Sequence, residues 1–193
     1  AHRNDALVLD MATTTVAANK VKVYDYHGKT LPAGWAVDGA GGVISEAAEA
    51  MRYIFKHAEG GLTPLGGTAA MSSHKGYGLA LMAQVLGGTL GGSALAARHA
   101  TRRGPGDPDD IGHFFLALDP AAFREAGSFG QDMDELIDTM HAVPPADPAQ
   151  PVLVPGDPEM AERARRLREG VPIAQALASV LEPLCDRCGV PYV

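Results

Sequence analysis

The stretch SHKGYGLALM at residues 73–82 is the most informative segment of this chain. A small, polar, glycine-spaced start leads into an apolar run, and Ser72 or Ser73 is the predicted N-cap of a helix. The first turn of a helix has unpaired N–H donors and a partial positive charge, so it favours phosphate or carboxylate. Lys75 adds a positive charge, and Gly76 and Gly78 would let a ligand approach the backbone closely. The residues predict an anion-binding helix start; a helix start with a solvated lysine is the alternative they leave open.

Other short motifs flank this stretch in a definite order. They are LVLDMAT at residues 7–13, PAGWAVD at 32–38, PLGGT at 64–68, GHFFLALDP at 112–120 and VPGDPE at 154–159. Together with residues 73–82, they resemble the malate/L-lactate dehydrogenase family, which also contains sulfolactate, ureidoglycolate and diketogulonate dehydrogenases. Because the matches are collinear and spread along most of the chain, they are much more specific together than singly.

The resemblance covers only the C-terminal portion of that family. Members of the family extend further at the N-terminus, where a Ser-His-Gly-x-x-Arg motif carries the histidine that donates a proton. No segment of this sequence matches that motif, and the superficially similar SHKG at residues 73–76 belongs to a different family motif. The resemblance therefore predicts part of a dehydrogenase. The alternatives are a catalytically inactive homologue that serves as a dimerisation or scaffold module, and one half of a split enzyme.

The fold class that we predict is α+β. No Gly-x-Gly-x-x-Gly fingerprint stands between a strand and a helix, so a Rossmann domain is not indicated. The resemblance implies a non-Rossmann nicotinamide-binding domain, in which helices cover a mainly antiparallel sheet, followed by C-terminal helices. We assign residues 1–143 to the cofactor-binding domain and residues 144–193 to a linker and helices that pack with the helical domain.

Apolar patterning predicts the individual elements. Continuous apolar runs at residues 6–10 and 113–119 predict two buried strands. Residues 13–25 fit either a helix, as the resemblance implies, or a strand. Helical spacing of apolar residues or cap signals predict helices at residues 46–57, 75–86, 131–141, 157–170 and 173–184.

Three of the motifs match segments that contact the cofactor in the family. The residues that the resemblance assigns to cofactor binding are Val8, Leu9, Asp10, Met11, Ala12, His74, Lys75, Gly76, Gly156, Asp157 and Pro158. Asp10 is also the candidate for acid/base assistance, because a carboxylate buried at the mouth of a strand is a suitable proton carrier. Capping of the following segment is the alternative for Asp10.

Composition narrows the function classes. Of 193 residues, 46% are hydrophobic and 20% are charged, which is typical of a globular protein and argues against disorder. The net charge of −7 argues against a nucleic-acid-binding surface. No apolar run reaches the roughly 20 residues of a membrane span, and no signal peptide is evident, so we expect a cytoplasmic protein without membrane partners.

Two further features are a basic cluster and a pair of cysteines. The basic cluster at residues 98–103 is interpreted as a charged loop. Cys185 and Cys188 form a lone Cys-x-x-Cys without the further ligands that zinc needs, so we predict reduced thiols and no metal site; a reversible disulfide, or a metal shared with a partner chain, is the alternative.

The resemblance also implies a cofactor and partners. It implies NAD or NADP as the cofactor, and a small 2-hydroxy or 2-oxo acid such as malate or lactate, or an imino acid, as the substrate. It implies a homodimer, and it leaves open a separate N-terminal half as a further partner.

Overall fold

A computed structural model of the chain describes residues 1–95, 104 and 106–192. The basic cluster at residues 98–103 lies outside these residues. The helices are α1 (Ala18–Tyr26), α2 (Ala47–Phe55), α3 (His74–Ala83), α4 (Ser128–His141), α5 (Asp157–Glu169) and α6 (Gln175–Cys188). The strands are β1 (Ala36–Val37), β2 (Val43–Ile44) and β3 (Gly61–Leu62), and a π-helical turn (Gln84–Thr89) follows α3.

The sheet is small and antiparallel. Its order is β2-β1-β3, and Ala36 of the central strand stands opposite Ile44 on one side and Leu62 on the other. A helix-rich α+β fold with an antiparallel sheet confirms the predicted class in its coarse form.

A core joins this sheet to two helices. Val21 of α1 and Ala50 of α2 are completely buried, and the two helices pack against each other. Alanines at positions 47 and 50 lie in this core, where their small side chains allow the helix to approach closely. The other buried members of the core are Val16, Leu31, Ala36 and Ile44. Residues 13–25 are thus partly helical, as the resemblance implied.

Local signals place the helices well. The helix predicted at 46–57 is confirmed as α2, whose N-cap Glu46 accepts a hydrogen bond from the Glu49 N–H. The helix predicted at 157–170 is confirmed as α5, with Pro158 in its first turn and Gly170 as its C-cap. The last predicted helix extends further than expected, so that Cys185 and Cys188 lie within α6 rather than after it.

The chain divides into two compact units. The first contains Ala1–Asp10 and Leu116–Pro172; the second contains Met11–Phe115 and Ile173–Val193, as far as they are described. The division at residue 143 into a cofactor-binding domain and a C-terminal segment remains a prediction.

A buried carboxylate organises the first unit. Asp134 of α4 is only 3% exposed and accepts hydrogen bonds from the backbone N–H groups of His2, Arg3 and Asn4, at 3.0 Å each at the shortest. The Asn4 N–H contributes most, and together these donors lower the pKa of the Asp134 carboxyl to about 2. This pairing anchors the first residues of the chain on α4.

Both predicted buried strands are wrong. Residues 6–10 and 113–119 form no strand, and Leu9, Leu116 and Leu118 are 66%, 70% and 68% exposed. The physical reason is that a strand needs a neighbouring strand with a ladder of hydrogen bonds, and within the described part of the chain neither segment has one; a single hydrogen bond from the Val8 N–H to Pro155 does not make a strand.

None of the helices in the described part of the chain is both long and apolar enough to cross a membrane.

Candidate functional site

The start of α3 has an unusual backbone. Ser72 adopts a left-handed conformation (φ 66°), which is uncommon for a residue other than glycine and often marks a functional site. Ser73 occupies the N-cap position, but its hydroxyl makes no capping hydrogen bond, so the predicted serine cap is not formed. The Lys75 N–H donates to the Ser72 carbonyl (3.1 Å), whereas the His74 N–H has no acceptor among the described residues. The helix therefore begins with an N–H donor that is available to a ligand.

The charges at this helix start favour an anion. His74 and Lys75 are exposed, and the first turn of α3 contains no acidic residue. The partial positive charge of the helix terminus and the ammonium group of Lys75 thus act in the same direction. The anion site at this helix start remains a prediction.

Gly76 has a packing role that the sequence did not reveal. Gly76 is buried, and a Cβ built on it would overlap the backbone of Leu65. Gly78, two positions later, has no atom within 4 Å of such a Cβ. Gly76 therefore does not leave space for a ligand where its Cβ would stand, because the backbone of Leu65 fills that space. At Gly78 the corresponding space is open.

The motif at residues 7–13 contacts the motif at residues 154–159. The Val8 N–H donates to the Pro155 carbonyl at 3.0 Å, and a Cβ on Gly156 would lie 3.1 Å from the Ala6 carbonyl oxygen and 3.4 Å from the Val8 nitrogen. Gly156 also has a positive φ of 111°, which favours glycine. The structure thus brings the predicted residues Val8 and Gly156 together. Beside them lies an open cavity of about 430 Å³, lined by Asp5, Ala6, Val8, Gly156, Glu159 and Met160.

The start of α5 differs from that of α3 in its charge. Its first turn contains Asp157 and Glu159, and Pro158 has no N–H to offer. The Asp157 carboxylate interacts with His141 Nε2 at 2.7 Å and accepts from the Val154 N–H at 2.8 Å, and the hydrogen bond from His141, followed by that from Val154, lowers the pKa of Asp157. Asp157 is therefore occupied in holding the turn before its own helix.

The remaining residues that the resemblance assigned to the cofactor site, at positions 9–12, are exposed to solvent. Leu9, Asp10, Met11 and Ala12 are exposed, and the Asp10 carboxylate has no hydrogen-bond partner among the described residues. The premise that Asp10 is buried at a strand mouth is wrong, because residues 6–10 form no strand. Val8, Leu9 and Asp10 belong to the first unit, and Met11, Ala12 and the start of α3 belong to the second.

Within the described part of the chain, no three His, Cys, Asp or Glu side chains lie in a group that could hold a metal ion.

The fold is that of one half of a dehydrogenase. The crystal structure of malate dehydrogenase from Entamoeba histolytica matches with a TM-score of 0.84 at 22% identity, over 95% of this chain and 51% of that one. The structure of a dehydrogenase from Sinorhizobium meliloti matches with a TM-score of 0.71 at 31% identity, over 92% of this chain and 48% of that one.

The sequence agrees with this class, since residues 1–182 match the malate/L-lactate dehydrogenase family. The chain belongs to that family. Malate dehydrogenase from Pyrococcus horikoshii is 28% identical over 191 residues, which are 97% of this chain and 50% of the relative. The chain spans about half the length of the curated relatives it matches, consistent with a C-terminal portion of them.

Proposed function

We propose that this chain is the cofactor-binding part of an NAD(P)-dependent oxidoreductase that acts on a small 2-hydroxy or 2-oxo acid, or on an imino acid. The observation that carries the proposal is the start of α3, where the exposed Lys75 follows a His74 N–H that has no acceptor among the described residues, and where the first turn contains no acidic residue. When bound, the nicotinamide cofactor supplies the hydride chemistry. The protein holds the cofactor, orients the substrate and donates or accepts a proton.

Phosphate is the group that fits the start of α3. A pyrophosphate oxygen would accept from the His74 N–H and face the Lys75 ammonium, which acts as a point charge on a flexible stem. The start of α5 does not fit phosphate, because Asp157 and Glu159 place negative charge in its first turn. Gly156, Asp157 and Pro158 remain proposed cofactor contacts on the strength of the family resemblance. Within their own unit, Gly156 shapes the apolar cavity beside Val8 through its contact with the chain at residues 6–8.

Leu9, Met11 and Ala12 remain proposed cofactor contacts on the strength of the family resemblance. Asp10, exposed and without a hydrogen-bond partner in the described part of the chain, is free to accept a proton or a substrate hydroxyl. The substrate class is supported by the relatives: one is a malate dehydrogenase, and a Pseudomonas syringae relative, 32% identical over 185 residues, reduces pyrroline- and piperideine-carboxylates. The non-Rossmann character of the site, the homodimer and a cytoplasmic location belong to the same proposal and rest on the resemblance.

A second candidate function is a scaffold module or one half of a split enzyme. The observation in its favour is that apolar side chains of two segments without helix or strand are exposed, Leu9 in one and Leu116 in the other. The sequence also lacks the Ser-His-Gly-x-x-Arg motif that the resemblance associates with proton donation. In this case the chain would show no turnover alone.

Calorimetric titration of the purified chain with NADH, and then with NADPH, tests the leading proposal. Lys75→Ala removes a charge-assisted contact worth about 1–3 kcal/mol, so we expect affinity to fall by about 5- to 150-fold. Lys56→Ala, which removes an exposed lysine at the end of α2, is the matched control and should leave affinity unchanged. Equal affinity of the Lys75 variant and the native chain would remove Lys75 from the site. No binding of either nucleotide by the folded native chain would favour the second candidate function.

A further inference from the structure

Both cysteines of the chain lie in the last turn of α6. Cys185 and Cys188 are helical residues three positions apart. Their thiols are free, and Cys188 is exposed while Cys185 is partly buried. Residues three apart in an α-helix lie on the same side of it, whereas residues two apart do not face each other. The helix therefore projects two nucleophilic side chains from one side of its last turn.

Helix geometry puts the two cysteines within reach of a disulfide bond, although not at its preferred separation. Residues three apart in an α-helix have Cα atoms about 5 Å from each other, which lies within the roughly 4.4–6.8 Å that disulfides span. Their Cβ atoms are about 5–6 Å apart, against about 3.5–4.5 Å in a disulfide. Closure of a Cys185–Cys188 disulfide thus needs a local shift of about 1–2 Å.

The end of α6 accommodates such a shift. Pro183 stands inside the helix, two residues before Cys185, and has no N–H to donate to the carbonyl of Ser179. Gly189 ends the helix in a left-handed conformation (φ 64°), and its N–H is shared between the carbonyls of Cys185 and Asp186. Because the proline removes one hydrogen bond and the last carbonyls have no partner further along the helix, this turn costs less to distort than an interior turn.

We propose that Cys185 and Cys188 form a redox-active dithiol that exchanges with low-molecular-weight disulfides such as oxidised glutathione. The exposed Cys188 thiolate attacks one sulfur of the small disulfide, which forms a mixed disulfide and releases one small thiolate. The Cys185 thiolate then attacks Cys188 Sγ, which closes the Cys185–Cys188 disulfide and releases the second small thiolate. Two protein thiols are oxidised, one small disulfide is reduced to two thiols, and the two cysteine protons pass to these products.

The distortion needed for closure makes this bond reversible. A disulfide in strained geometry is reduced more easily than an unstrained one, so reduced glutathione should reopen it. A structural disulfide would resist the same treatment. Neither cysteine is among the residues assigned to the cofactor, and the inference does not rest on the proposed function.

Mass spectrometry of the native chain after treatment with oxidised glutathione tests the proposal. We expect a chain lighter by two hydrogen atoms, with no glutathione attached, and a return to the reduced mass when reduced glutathione is added. In Cys185→Ser the second step is blocked, so a glutathione mixed disulfide should accumulate at Cys188. It should persist about tenfold longer than in the native chain, or more, because a neighbouring thiol acts at a high effective concentration.

A variant with the wrong spacing makes the test specific to the helix. The double variant Cys185→Ser, Asp186→Cys keeps two thiols in the last turn of α6 but places them two residues apart, on different sides of the helix. We expect it to retain glutathione as Cys185→Ser does. Circular dichroism of each variant checks that it folds as the native chain does.

Every other outcome contradicts the inference. Retention of glutathione by the native chain for as long as by Cys185→Ser, or no reaction at all, would show that the two thiols do not act together. Equally fast closure in the double variant would show that the helical spacing plays no part. A disulfide that reduced glutathione cannot open would be structural, and chains linked to each other in non-reducing electrophoresis would make a second copy the partner of Cys188. None of these readouts involves nucleotide, so they leave the proposed cofactor site to its own test.

Discussion

The contrast between Gly76 and Gly78 gives the sharpest prediction about α3. The two glycines lie one helical half-turn apart in the same helix, but a Cβ at Gly76 would overlap the Leu65 backbone while a Cβ at Gly78 would meet open space. Replacing glycine by alanine in a helix stabilises it by about 0.8–1.0 kcal/mol. At Gly78 this gain should appear almost in full. At Gly76 it is set against overpacking, which costs about 1–3 kcal/mol and more when the obstructing atoms are backbone.

The two variants should therefore differ by about 1–3 kcal/mol in the free energy of unfolding, with Gly76→Ala the less stable. Urea titration followed by circular dichroism measures this difference, and an unchanged slope m for both variants shows that the comparison is valid. Gly76→Ala should also weaken nucleotide binding, because it displaces the helix start that carries Lys75, whereas Gly78→Ala should not. Equal stabilisation by the two substitutions would refute the close approach of the Leu65 backbone to α3.

Three further predictions concern the other parts of the chain. Because the pKa of Asp134 is lowered to about 2, its ionisation stabilises the fold fully above its ordinary pKa of 3.8 and this contribution is lost as pH falls towards 2. Melting temperatures between pH 2 and 5 should therefore fall more steeply for the native chain than for Asp134→Asn, and parallel curves would contradict the Asp134 pairing. Ile137→Ala, at a position 2% exposed, should destabilise by about 2–5 kcal/mol in urea titration; Leu136→Ala, at a position 46% exposed, should cost much less, and equal losses would contradict the burial of Ile137. Cys188 is exposed and Cys185 is partly buried, so in single Cys→Ser variants Cys188 should react faster with Ellman's reagent, and the reverse order would contradict the placement of α6.

Helices were predictable from the sequence because their signals are local. The Gly156-Asp157-Pro158 turn and Gly170 mark the two ends of α5 within the segment itself, and Glu46 marks the start of α2. The helical spacing of apolar residues likewise placed the start of α3 to within one residue, at 75 against His74. In each case the residues that determine the helix are separated by no more than a few turns.

Features that depend on distant residues were not predictable. The helix predicted at residues 131–141 begins earlier, at Ser128, and the hydrogen-bond partners of Asp134 are backbone groups about 130 residues away. The prediction of a buried strand at residues 113–119 was wrong for a similar reason, because whether a strand forms and is buried depends on a neighbour that its own sequence does not specify. The packing role of Gly76 also depends on a distant loop, since Leu65 is outside α3.

The two helix starts illustrate how physical chemistry refines a family resemblance. The resemblance assigns cofactor contacts to both the start of α3 and the start of α5, and both are positive ends of helices. At α3 the added charge is Lys75, and at least one N–H is unpaired in the described part of the chain. At α5 the added charges are carboxylates, and Asp157 is held by His141 and by its own turn. In the proposed function, phosphate recognition therefore belongs to the start of α3 and not to the start of α5, whose glycine turn instead contacts residues 6–8 of its own unit.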